Sequence, residues 1–133
     1  MNNQGTSIYK ILLPMKRRPG MTVEEFREYY EDCHAPLAAK YSTAHLRYVR
    51  TYLDPHPHPE TGPASEPPYD VITELWFDDE GVFESTLQYL TTTTMPPEIV
   101  EDEMQLFDRS SFCILTAVER ETDLDAVRKT LGS

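Results

Sequence analysis

KRRPGMTVEEFREYYEDCHAPL, residues 16–37, decides how this chain reads. Pro19-Gly20 breaks whatever precedes it with a turn. Thr22 stands where a helix N-cap belongs, and Glu25, three residues on, can return a bond to complete a capping box. Glu24 and Glu25 also put negative charge at the positive end of the helix dipole. Phe26, Tyr30, Cys33 and Leu37 recur at spacings of four, three and four, which is one helical face. His34 follows Tyr30 by four residues and so sits beside that face. Pro36 has no N–H to give the carbonyl of Asp32, so a kink or an end is predicted there. An imidazole one turn from a loosened helix end, flanked by tyrosines, is a candidate chemical centre. From residue type alone, a histidine packed at a helix end is the plainer account.

The rest of the chain supplies partners for that helix. Before it, IYKILLPM (8–15) reads as a strand, with Ile11 and Leu13 on one face and Lys10 and Leu12 on the other. The helix itself should run from about Met21 to about Tyr41. LRYVRTYL (46–53) follows as a two-faced strand, with Tyr48, Arg50 and Tyr52 alternating with Val49, Thr51 and Leu53. Residues 54–68 hold six of the eleven prolines and few apolar residues, which predicts an exposed loop. YDVITELWF (69–77) is a third strand. Val71, Thr73, Leu75 and Phe77 share one side; Asp70, Ile72, Glu74 and Trp76 share the other. A helix over 79–90 carries an apolar stripe of Val82, Phe83, Leu87 and Leu90, and TTTT (91–94) reads as loop. Pro96-Pro97 opens a short acidic helix to about 106, with Ile99, Val100 and Met104 inward. SSFCILTAVE (110–119) reads as a fourth strand, and 123–131 as a short helix capped by Asp123. The order is β-α-β twice. That predicts an α+β, ferredoxin-like βαββαβ fold: a four-stranded antiparallel sheet with helices on one face. The uncovered sheet face predicts a homodimer.

With 133 residues the chain makes one domain, 1–133, large enough for a real core. Its formal net charge is −11. Residues 1–50 carry eight Lys/Arg against five Asp/Glu, whereas residues 51–108 carry none against fourteen. So acidic a middle argues against a nucleic-acid surface, since phosphate binding needs clustered positive charge. Lys16, Arg17 and Arg18 form a basic cluster that fits a solvated turn, an acidic partner patch or an anionic substrate. No apolar run is long enough to span a membrane, and MNNQGTS has no apolar signal-peptide core, so no leader is expected. Cys33 and Cys113 form no CxxC motif, and a reducing cytoplasm is expected. His56-Pro57-His58, with Glu60 near, invites a metal reading. The loop is exposed and offers no third histidine, so no metal is expected there. Glycine-rich phosphate loops, nucleophile elbows and dinucleotide fingerprints are missing from the sequence, and no cofactor is expected.

Several segments together carry a family likeness. KRRPGMTVEEFREYYEDCHAPL resembles the opening of EthD-domain proteins: a basic residue, Pro-Gly, Phe in a helix, then His-x-Pro-Leu. RYVRTYL, YDVITELWFDD and DEMQLFDRSS resemble later family segments in order and at suitable distances, so the likeness covers roughly residues 8–120. The resemblance implies the dimeric α/β-barrel superfamily, with a pocket between helices and sheet inside one subunit. It also implies kinship with ether-degradation accessory proteins and with polyketide dehydratases, decarboxylases and cyclases. The family's helix-one histidine maps onto His34. Plant polyketide cyclases of the wider superfamily place a histidine on the third strand, where this chain has Asp70-Val71-Ile72-Thr73.

This likeness implies a small cofactor-independent lyase or cyclase acting on polyketide-like or aromatic carbonyl compounds. Dehydration or decarboxylation of such compounds passes through an enolate. A neutral imidazole can move the proton near pH 7, and phenols can hold the enolate oxygen. The expected catalytic set is His34, with Asp70 or Glu74 orienting it. Phe26, Tyr30, Tyr48, Arg50, Tyr52 and Trp76 are the expected substrate contacts. Core or interface packing is the alternative for each tyrosine, and a pair with Arg50 or Arg47 is the alternative for Glu74. A non-catalytic accessory or binding protein is the alternative function.

Overall fold

The structure, a computed structural model, describes residues 7–132. The polar N-terminus read above lies outside them as far as Thr6. Strand β1 (Tyr9–Arg17) leads through the Pro19-Gly20 turn into helix α1 (Val23–Tyr29). Gly20 has φ of 85°, a backbone region that favours glycine. The capping box forms: the Glu25 amide donates to Thr22 Oγ1 at 3.0 Å and the Thr22 amide to Glu25 Oε1 at 2.9 Å. Such a cap stabilises a helix by roughly 0.5–2 kcal/mol.

The expected kink takes a specific form. Residues Tyr30–His34 make a single π-helical turn, after which α2 (Ala35–Ala39) continues the same rod. The Ala35 amide reaches back to the Tyr30 carbonyl, five residues away. Pro36 has no N–H, so the helix loses nothing there by opening into the wider turn.

Strands β2 (Arg47–Tyr52) and β3 (Val71–Phe77) follow, separated by the proline-rich loop. Then come α3 (Glu80–Thr92), α4 (Pro97–Met104), the short strands β4 (Phe107–Asp108) and β5 (Leu115–Thr116), and α5 (Leu124–Gly132). The sheet order is β2-β3-β1-β4, all antiparallel, with β5 also on β1. This is the ferredoxin-like α+β arrangement. In β3 the alternation holds residue by residue: Val71, Thr73, Leu75 and Phe77 are buried, and the residues between them are half-buried. The core beneath the helices joins Met15, Phe26, Tyr30, Val71, Leu106 and Phe107, with a second cluster of Ile11, Leu75 and Phe77.

Three expectations need correction. The fourth strand does not run over 110–119. A 3-10 turn at Arg109–Ser111 takes up its start, only β5 within it is strand, and β4 lies ahead of it. Asp108 causes the break, because its carboxylate accepts from the Ser110 amide at 3.1 Å and offers the backbone a local turn. Ser111 then fills the gap in the ladder, its Oγ accepting from the Lys16 amide at 3.0 Å. Helix α3 runs past the expected loop to Thr92, since Thr91 and Thr92 donate to the carbonyls of Leu87 and Gln88 one turn back. In α4, Met104 is exposed and Glu103 is the buried residue beside Ile99.

The basic cluster is largely consumed inside the fold. Arg17 donates from Nη1 to Asp70 Oδ1 at 2.6 Å and to Glu66 Oε2 at 2.8 Å, and Lys16 pairs with Glu66 and with Asp70. These bonds fasten one end of the proline-rich loop to β1.

Candidate functional site

The π turn sets His34 against Tyr30 and Phe107. Both rings meet the imidazole edge-on, with centroids 5.2 and 5.3 Å away. His34 is 4% exposed. Its Nδ1 lies 2.7 Å from Asp102 Oδ2, on α4. The other oxygen of Asp102 accepts from the Tyr29 hydroxyl at 2.5 Å. A carboxylate only accepts, so His34 carries its proton on Nδ1 and presents the lone pair on Nε2. Burial pushes the His34 pKa below its usual 6.5, and the bond to Asp102 pulls against that. The imidazole is therefore neutral near pH 7, as a proton acceptor must be. The same carboxylate raises Tyr29 to about 12, so that phenol stays protonated and holds Asp102 in place.

His34 lines a cavity of about 220 Å³ enclosed by the π turn, the inward face of the sheet, α3 and α4. Leu13, Leu75, Leu90 and Ile99 give it apolar walls. A phenol relay lies in one wall. The Tyr30 hydroxyl is 2.6 Å from Thr73 Oγ1 and 3.2 Å from the Tyr48 hydroxyl. Burial raises both tyrosines, so both remain donors. Glu103 also lines the cavity, and burial raises its carboxyl above the ordinary range despite Arg109 Nε at 3.3 Å.

Of the residues expected from sequence, His34, Tyr30 and Tyr48 come together on this cavity. Phe26, Arg50 and Tyr52 form a layer behind it. Phe26 is fully buried against Tyr30 and Tyr52, edge to face. Arg50 holds Glu31 at 2.7 Å and lies 4.8 Å from the centre of the Tyr48 ring; Tyr52 donates to Glu31 at 2.5 Å. Asp70, expected to orient the imidazole, is instead bonded to Arg17 through both side chain and backbone. Glu74 and Trp76 alternate with the inward residues of β3, so they face away from the helices. There Trp76 Nε1 donates to Glu74 at 2.8 Å, and Lys10 and Arg47 stack on the indole. No hydrogen bond of Glu74 or Asp70 reaches His34; Asp102 holds the orienting position.

Asp102, Glu103 and His45 were not singled out in the sequence. Ile99, Asp102, Glu103 and Leu106 stand at i, i+3, i+4 and i+7, so the acids sit on the apolar stripe of α4, and that placement was the available signal. His56 and His58 remain in the exposed loop, where His58 Nδ1 accepts from the Glu60 amide. Among the described residues, no three His, Cys, Asp or Glu are placed to hold a metal. Among the same residues, no helix is long and apolar enough to cross a membrane.

Fold and site together define a class: a small ferredoxin-like domain with a buried histidine, held by an aspartate, on a cavity between its helices and its sheet. The model of the EthD domain matches residues 18–110, and the chain belongs to the EthD family. Two solved structures share its fold. An ethyl tert-butyl ether d (EthD) family protein of Bacillus halodurans C-125 is 19% identical, with a TM-score of 0.53 over 84% of this chain and 99% of that one. An EthD-like protein of Ralstonia eutropha JMP134 is 17% identical, with a TM-score of 0.51 over 88% and 98%. No curated protein matches the chain.

Proposed function

We propose that this protein is a cofactor-independent lyase or cyclase for polyketide-like or aromatic carbonyl compounds, with His34 as its proton-transfer group. One observation carries the reading: the neutral imidazole is fixed at Nδ1 by Asp102 and lines a mostly apolar cavity that also holds the Tyr30–Tyr48 phenol pair. With a β-hydroxy ketone, Nε2 takes the proton from the carbon next to the carbonyl. The electron pair moves into the enolate, whose oxygen accepts from Tyr48. The imidazolium, stabilised by Asp102, then gives its proton to the departing hydroxyl, and water and an enone leave. As that proton arrives, the enolate electron pair re-forms the carbonyl and makes the C=C bond while the C–O bond to the hydroxyl breaks; the sum is loss of water, for which acid–base side chains suffice.

The test is a β-hydroxy ketone carried on a naphthalene ring, incubated in D₂O and followed by NMR. Deuterium at the carbon next to the carbonyl and appearance of the enone are expected, with both lost in His34→Gln. A folded protein that exchanges no proton above the protein-free rate would overturn the catalytic reading. An accessory, ligand-binding role would then take its place.

A further inference from the structure

A second imidazole lines the cavity. His45, in the segment before β2, packs edge-on against Phe77 with ring centroids 5.1 Å apart. At the other end, Tyr30 touches His34 and bonds Thr73. Thr73 and Phe77 stand four residues apart on the same inward face of β3, which is about 13 Å of extended strand. Leu75 lies between them and lines the cavity. One wall of the cavity is thus apolar along its middle and carries an imidazole at each end.

His45 has no bonding role in the fold. Its Nδ1 is shut off from solvent and meets no partner in the protein. Burial lowers its pKa, so the ring is neutral. No protein group fixes which nitrogen carries the proton. A leucine would pack on Phe77 without leaving a polar atom unpaired; what the imidazole adds in exchange is Nε2, which is not shut off, on a residue that lines the cavity.

We propose that His45 is a second recognition point of this cavity, one that takes a hydroxyl at the far end of an elongated aromatic ligand whose carbonyl lies at His34 and Tyr48. With Nδ1 shut off, the contact falls to Nε2, and because a hydroxyl both donates and accepts it serves that nitrogen in either tautomer of His45. The spacing suits two fused rings bearing the carbonyl and the hydroxyl at opposite ends. This inference rests on the reading of the cavity as a substrate site, and it narrows the substrate to hydroxylated fused-ring aryl ketones.

Two probes of nearly equal shape test it by calorimetry: 6-acetyl-2-naphthol, and the analogue with methyl in place of the hydroxyl. An apolar end would prefer the methyl compound; a hydrogen-bonding end prefers the hydroxyl. Wild-type protein is expected to bind the naphthol at least about fivefold more tightly, the worth of one neutral hydrogen bond. His45→Leu should reverse that order, and His34→Gln should keep it. Equal or tighter binding of the methyl probe by wild type overturns the inference alone, whatever His45→Leu does and even if that variant fails to fold. Binding of neither probe overturns the cavity reading with it.

Discussion

The two ring nitrogens of His34 make separate predictions. With Nε2 as base, His34→Gln should lower turnover by about 10²–10⁴-fold in a folded protein, because an amide keeps hydrogen bonds but cannot exchange a proton in this range. At Nδ1, Asp102→Asn keeps an acceptor but removes the charge that steadies the imidazolium. Kcat should fall by roughly 10–10²-fold with little change in KM. The pH profile separates the two roles. Burial holds His34 below 6.5, so activity should fall as pH drops through that lower value. Asp102 raises the His34 pKa, so Asp102→Asn should move the acid limb to still lower pH. Stability follows the same sign: the unfolded chain takes up the proton first, so folding weakens as pH falls below the ordinary histidine value. A pH limb unmoved in Asp102→Asn would remove Asp102 from the mechanism. His34, Tyr30 and Tyr48 were legible in sequence because they recur at helical or strand spacing around the motif. Asp102 was not, since the contact that gives it a role spans 68 residues of chain.

The π turn is the element that aims His34, and Pro36 is its cause in sequence. Pro36→Ala restores an N–H and lets the ordinary helical register return. Stability should rise, by up to roughly 3 kcal/mol, while turnover falls about tenfold as the imidazole rotates from Asp102. Thermal melting and kinetics on the same preparation check this; unchanged turnover with a raised melting point would show that the wide turn does not aim the ring. The proline-rich loop is the opposite kind of element, held mainly where Glu66 meets Lys16 and Arg17. Removing 55–65 while keeping Glu66 should leave a single cooperative unfolding transition, and a broad or multi-step melt would show the loop to be structural. Strands β1 to β3 and the first helix were readable because alternation, the capping box and the glycine turn all agree locally. The fourth strand was not, because Asp108 and Ser111 divert it through side-chain bonds that periodicity does not register.

At the scale of the molecule, the outer sheet face carries Trp76, Glu74, Lys10 and Arg47, and the charged side chains close over the indole. We expect this face to join two copies. Light scattering should then give about twice the 15.4 kDa of one chain, and Trp76→Glu should shift it to monomer; a wild-type monomer at micromolar concentration would refute the pairing. Sheet order adds a consequence for synthesis. Strand β1 is central, yet the segments that cover its free side, β4 and β5, are made after residue 106. A nascent chain therefore exposes the edge of β1 for most of translation, when neighbouring chains on a polysome are near enough to pair with it. Pro14 sits in the middle of that edge, between the short stretches that β4 and β5 later occupy. A proline cannot donate to an incoming strand. It guards the half-made protein against its own siblings, and Pro14→Val should increase insoluble product during expression even where the finished fold tolerates it.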